Sequence, residues 1–311
     1  MQFWNYFAIR LIQAFFVVFI VVTTVFFVSR TVGNPEATML PLEARDVDIE
    51  ALKETLGLND PLIVQYGIFL GNLAQGDFGT SWRGGGTPAI GAIGERATNT
   101  LKLGAAGVVF AIVLAVPLGI LAALKRGTVI DWLARFVAVI GQATPSFWLG
   151  LMMIFFFAVQ LGWFPTGGAK DGFRSLILPA LALGLFEMVA IMRLTRSGMI
   201  EVLDTDFIRT ARAKGLSERV VIGRHAVRHA LLPVVTMLGL SLGRLIGGSV
   251  IIEMVFAWPG IGRLIIDSIL KNDFPMVQAS IIVLAASIAI VNLLVDVSYR
   301  LIDPRIRAGS A

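Results

Sequence analysis

The 311-residue sequence contains no cysteine, which removes disulfide frameworks, thiolate nucleophiles and Cys-ligated zinc or iron–sulfur sites from consideration. Histidine is almost as scarce. Its two copies, His225 and His229, are four residues apart and would share a helical face, as metal ligands do. They lack a third ligand of matching type, and Arg224 and Arg228 beside them disfavour a bound cation, so they read as loop histidines and no metal site is expected. Charge is sparse as well: 15% of residues are charged against 56% hydrophobic, with a mean hydropathy of +0.81. That is too little polar surface to solvate a compact water-soluble fold of this size, and the chain reads as an all-α, polytopic membrane protein.

Catalytic signatures are missing too. Gly86 and Gly91 have the separation of a phosphate loop, but Ala92 and Ile93 stand where Lys and Ser or Thr are required, so this chain is not expected to bind or hydrolyse ATP. There is no His-Glu-x-x-His helix and no serine elbow, which leaves an intramembrane hydrolase without its parts.

What is present is a series of apolar runs. A span needs roughly 20 predominantly apolar residues, and six are expected: Leu11 to Val28, Leu101 to Leu124, Leu133 to Leu161, Leu176 to Met192, Leu232 to Phe256 and Val277 to Tyr299. The first has no small-residue cleavage site after it and is expected to stay as a span. This organises the chain as an N-terminal helix (1–30), an extracytoplasmic segment (31–100), a five-helix core (101–300) and a tail (301–311). Orientation follows from Lys and Arg near the span ends. Lys125, Arg126 and Arg135, the loop basics from Arg193 to Arg228, and Arg300, Arg305 and Arg307 belong inside; residues 29–100, rich in Asp and Glu, belong outside. Both termini are therefore expected in the cytoplasm. The formal charge of +5 points to this topology and not to nucleic acid.

The outer segment is expected to hold helices at Val47 to Leu56 and Pro61 to Leu73, with Gly84-Gly85-Gly86 as a flexible break. In the inner loop (193–232), Asp204 or Thr205 can cap a helix from Asp206 to Lys214, and Gly215 supplies its left-handed end, with a second helix starting near Ser217. This helix presents Arg209, Arg212 and Lys214 from one side, while Phe207, Ile208, Ala211 and Leu216 offer apolar contact. By charge alone the loop also suits anionic membrane lipid.

Charges inside spans are functional candidates, and Glu187, Arg244 and Glu253 qualify, either in a pathway or as a pair holding helices together. Gly239, Gly243 and Gly247 leave one helical face without side chains, for packing within the subunit or against a second one. Pro117 and Pro145 free backbone carbonyls and permit kinks.

The order of these features resembles the permease subunits of bacterial ABC importers of the dipeptide, oligopeptide and nickel family. The resemblance runs through Gly33-Asn34-Pro35, Gly76-Asp77-Phe78-Gly79, Pro145-Ser146-Phe147-Trp148-Leu149-Gly150 and Asp303-Pro304-Arg305. The general Glu-Ala-Ala-x-x-x-Gly loop signature appears as Arg209-Thr210-Ala211 followed by Gly215, without the glutamate and with a long interval to Pro233, departures similar to those of the peptide branch. The resemblance implies that Asp206, Phe207, Arg209, Thr210, Ala211, Arg212, Ala213, Lys214, Gly215 and Leu216 form a coupling helix gripped by a cytoplasmic ATPase. It also implies that Trp258, Pro259 and Gly260 break a helix at an outer gate. The implied partners are a second homologous permease, two ATPase subunits carrying ATP and Mg, and an extracytoplasmic binding protein. The implied site of action is the cytoplasmic (inner) membrane and the implied cargo is short peptides, with no cofactor on this chain. The competing readings are an ion-coupled carrier, which should show a relay of intramembrane acids and repeated broken helices, and a membrane scaffold without transport activity.

Overall fold

The computed structural model describes residues 2–32, 39–40 and 45–302, so Gly33-Asn34-Pro35 and Asp303-Pro304-Arg305 lie outside the described residues. Among those described, helix dominates and the one isolated β-bridge joins Thr80 to Pro88. In chain order the helices are α1 (Gln2–Val32), α2 (Asp46–Thr55), α3 (Leu62–Ala74), α4 (Ala89–Leu124), α5 (Val129–Ala143) and α6 (Ser146–Met153), which runs on as a π-helix (Ile154–Gln160). They continue with α7 (Phe173–Leu203), α8 (Asp206–Ala213) and α9 (Glu218–Val220), then a second π-helix (Val221–Ala226), α10 (Val227–Ala230), α11 (Leu232–Val255), α12 (Ile261–Leu270) and α13 (Phe274–Ile302).

Among the described residues, four helices are long and apolar enough to cross a bilayer, in α1, α4, α7 and α13, and the number rises to six when each of two bent pairs is taken as one span. The sharper bend falls within the expected span from Leu133 to Leu161, at the proline expected to permit a kink. Here α5 and α6 meet at 110° instead of forming one rod. The cause is local: a proline disfavours helical backbone in the residue before it and donates no N–H. Thr144 is accordingly extended (φ −90°, ψ 126°), and α6 restarts after Pro145 with no side-chain cap. The Phe155 to Phe157 run lies within the π-helix that continues α6. The second pair is α11, whose two parts, Leu232–Gly239 and Ser241–Val255, are inclined at 48°.

The chain forms two compact units, Met1–Thr100 with Pro259–Leu293, and Leu101–Trp258 with Leu294–Ala311. Residues 259–293 therefore group with the N-terminal hundred. In that first unit, Ala89 and Ile93 pack on Ile261, Ile265, Met276 and Ala279. The Phe26 ring lies against Tyr66 and Phe69 at 5.2 and 5.1 Å, and Thr23 and Tyr66 share a hydrogen bond of 2.6 Å. The Gly84 turn is less loose than its glycines suggest, because Ser81 and the Trp82 N–H both bond the buried Asp273 carboxylate.

The second unit is organised around α7. Small residues on α7 let its neighbours approach to backbone contact. At Gly184 any Cβ would collide with the backbone of Gly107 on α4. Around this seam, Leu178, Leu183, Leu245, Ile252 and Phe256 form one apolar cluster, and Ala111, Ala115, Val189, Ile191 and Met192 form the next. A buried ion pair clamps α5 to α7: Arg196 donates to both Asp131 oxygens, at 2.6 and 2.9 Å, with side chains 22% and 2% exposed. In the sequence Arg196 stands out only as a loop basic, and Asp131 does not stand out at all.

A candidate coupling helix and an interior cavity

Helix α8 begins after Thr205, as expected, but the Thr205 hydroxyl donates to the Val202 carbonyl and makes no cap bond to α8. Its end is well defined. Gly215 adopts φ +79°, its N–H bonds the Arg212 carbonyl at 2.9 Å, and the Leu216 N–H reaches back to Ala211 at 3.4 Å. This double closure satisfies carbonyls that a helix end otherwise leaves open and needs a left-handed residue, the role glycine fills without strain.

The two faces of α8 differ. Ile208 and Ala211 are buried with Met199, Val221, Ala226 and Ala230, so they bind the helix to its own unit. Asp206, Phe207, Arg209, Thr210, Arg212, Ala213, Lys214, Gly215 and Leu216 are exposed. On that exposed side Arg209 pairs with Asp206 at 3.2 Å, and Arg212 takes Glu218 with its Nε and Nη2 at 2.8 and 3.4 Å. The Glu218 bond raises the pKa of the Arg212 guanidinium above its ordinary value. Phe207 lies 5.0 Å from the His229 ring, which gives that histidine an aromatic neighbour. Among the described residues no cluster of His, Asp and Glu is placed to hold a metal.

The intramembrane charges separate into two sites. Glu187 on α7 and Arg244 on α11 come together at 3.4 Å, with Ser241 between them: its hydroxyl donates to Glu187 at 2.6 Å and accepts from Arg244 at 2.9 Å. They open on a cavity of about 430 Å³ whose wall includes Gln142, Thr144, Pro145, Ser146 and Gly248. Glu253 is elsewhere, fully buried near the end of α11, where Ser249 bonds its carboxylate at 3.0 Å. Ser241 and Ser249 were missed in the sequence; their signal is a hydroxyl three or four residues before a charge on one helical face. The glycine stripe also divides: Gly239 and Gly243 are buried, while Gly247 is exposed.

At the end of α11 the chain turns through Ala257, a non-glycine residue at φ 49°. In the second unit, Trp258 is buried and its N–H returns to the Glu253 carbonyl at 2.8 Å. In the first unit, the Pro259 carbonyl accepts from Asn99 at 3.0 Å, and Gly260 precedes α12, whose first N–H bonds Thr100 at 2.9 Å.

A membrane-spanning helical bundle with an ion-paired interior cavity and a short glycine-ended helix outside its spans has the build of a transport permease. Residues 115–308 match the family of binding-protein-dependent transport system inner membrane components, and the chain belongs to that family. It is 43% identical to the oligopeptide transport system permease protein AppB of Bacillus subtilis, over 88% of this chain and 90% of that one. It is 40% identical to the dipeptide transport system permease protein DppB of Alkalihalophilus pseudofirmus, over 88% and 90%. It is 41% identical to the glutathione transport system permease protein GsiC of Escherichia coli, over 97% and 99%. Among solved structures, the inward-facing MetNI methionine ABC transporter aligns with a TM-score of 0.57 at 20% identity, over 69% of this chain and 97% of that one, a likeness of fold. The chain is thus an ABC-importer permease subunit, a transport component and not an enzyme.

Proposed function

We propose that this subunit imports short peptides across the cytoplasmic membrane as half of a pathway completed by a second, homologous permease. Two cytoplasmic ATPase subunits supply the energy, holding ATP and Mg themselves, and an extracytoplasmic binding protein delivers cargo to the outer face. The arginine-rich loop around α8 lies inside with both termini, and residues 31–100 lie outside, as the distribution of Lys and Arg favours. Membrane lipid surrounds the remaining faces. The observation that carries the reading is the two-sided α8. Ile208 and Ala211 lock it to α7 and the segment before α11, while Phe207, Arg209 and Leu216 are left for a partner. A short rigid helix held in this way passes an ATPase's displacement to the spans, and ATP shifts the equilibrium between inward and outward openings by favouring one ATPase arrangement.

Replacing Gly215 by Val tests the lever. A β-branched residue in the left-handed region costs roughly 1–2 kcal/mol, which unwinds the end of α8 without touching the spans. In proteoliposomes containing the full complex, ATP-dependent uptake is expected to fall about tenfold or more while ATP hydrolysis and membrane abundance persist. Unchanged uptake removes α8 from the coupling path. Mass spectrometry of the purified complex, reading co-purified subunits and retained ligand, tests the partner set and the peptide cargo together.

A further inference from the structure

The two interior arginine–carboxylate pairs of the second unit are built differently. Arg196 closes on Asp131 with two short bonds and is largely covered. Arg244 comes nearest Glu187 at Nη2, at 3.4 Å, and its side chain is 61% exposed while that of Glu187 is 4% exposed. Its only other bond runs from the same nitrogen to Ser241, so Nε and Nη1 make no bond among the described residues. A pair that served only to neutralise Glu187 would close its fork and bury it, as Arg196 does. Instead the free edge of the guanidinium is presented beside the cavity it lines.

We propose that Arg244 binds the terminal carboxylate of the cargo, making this cavity a carboxylate subsite on the translocation path; the inference rests on the peptide-import reading above. The planar guanidinium offers two parallel N–H donors that match a carboxylate, a geometry an ammonium lacks. Leu149, Leu183 and Phe186 supply apolar walls beside the guanidinium, against which the rest of a short peptide can lie. Glu187 has the complementary part. Held by Ser241 at 2.6 Å, it acts as a resident counter-ion, so the empty site carries no uncompensated charge and the arriving carboxylate meets competition that allows it to leave.

The cysteine-free sequence provides a direct test. Gly248 lies one turn beyond Arg244 on the same cavity, with open space where a side chain would go, so Gly248→Cys places this subunit's single thiol at the subsite. In the assembled transporter, labelling of that thiol by a maleimide is followed by the intact mass of this subunit, with trialanine or trialanine amide as protectant. Trialanine is expected to slow labelling at roughly tenfold lower concentration than its amide, the difference a charge-assisted, two-pronged contact makes. Adding Arg244→Gln abolishes that difference, and Arg244→Lys, which keeps the charge without the fork, leaves an intermediate one. Equal protection by acid and amide, or a difference that survives Arg244→Gln, overturns the proposal. ATP-driven trialanine uptake is measured alongside: its absence with acid-selective protection intact sinks the peptide-import reading and leaves the carboxylate subsite standing.

Discussion

Helices α1 and α7 are each 31 residues long, and α1 is the more hydropathic, yet 11% of the apolar window of α1 is buried within the chain against 67% for α7. Hydropathy reports that a segment prefers lipid to water and is silent on whether its neighbour is lipid or protein. Composition discriminates better. α1 is lined with Phe, Val and Ile, and side chains such as Ile12, Phe15, Phe16 and Ile20 are exposed. α7 carries buried Pro179, Ala180, Ala182 and Gly184, sets Gly198 against the Ala230 backbone, and supplies one member, Arg196 or Glu187, to each of the two interior pairs. Packing between membrane helices comes from close backbone approach and polar contacts, not from apolarity, so the less hydropathic helix becomes the centre.

This contrast can be broken most sharply at Asp131. Arg196→Ala leaves the buried Asp131 carboxylate with the Gly127 N–H at 3.1 Å and only a longer contact to the exposed Arg135, at 3.6 Å. Breaking a buried pair costs about 3–5 kcal/mol, and Arg135 offsets part of that. Detergent-solubilised protein is expected to lose its monodisperse peak on fluorescence-detected size exclusion, and Asp131→Asn combined with Arg196→Gln should recover part of it. Next comes Gly184→Val, where the added carbons meet the Gly107 backbone; overpacking costs roughly 1–3 kcal/mol, and membrane abundance on immunoblots should fall several-fold. The smallest effect is expected on α1, where Phe16→Leu alters an outward side chain and should change the thermal midpoint of the solubilised subunit by an amount equivalent to about 0.5 kcal/mol or less. If Phe16→Leu proves as damaging as Gly184→Val, α1 is packed against something as closely as α7 is.

Much of this was legible from residue order. The helix expected from Asp206 to Lys214 ends within one residue of its prediction, because Gly215 is a local stop signal that needs no tertiary information. The long helices were also readable, although α4 starts at Ala89 and not Leu101, since its first turns are too polar to register as a span. The turn at Thr144 was not. Averaging across two apolar segments hides the junction, and Pro145 permits a kink as readily as a full reversal until neighbours decide. Candidate residues divided similarly. Glu187 and Arg244 were visible as charges out of place, but their pairing, the intervening Ser241 and the different setting of Glu253 depend on which helices face one another. Asp131 and the Ser81–Asp273 latch join residues far apart in the chain, and no local pattern announces them.

The 110° bend at Thr144 has a consequence for solvent. α5 is 15 residues long, about 22 Å, so it falls short of a hydrocarbon layer roughly 30 Å thick, and α6 with its continuation is no longer. The junction between them leaves backbone groups unpaired, which the oily interior of a bilayer does not tolerate unless protein or water covers them. Ala143, Thr144 and Pro145 line the cavity. Wetting at that point relieves the broken backbone, and it obliges the transporter to keep a watertight seal on one side whenever the other stands open, or the membrane would leak.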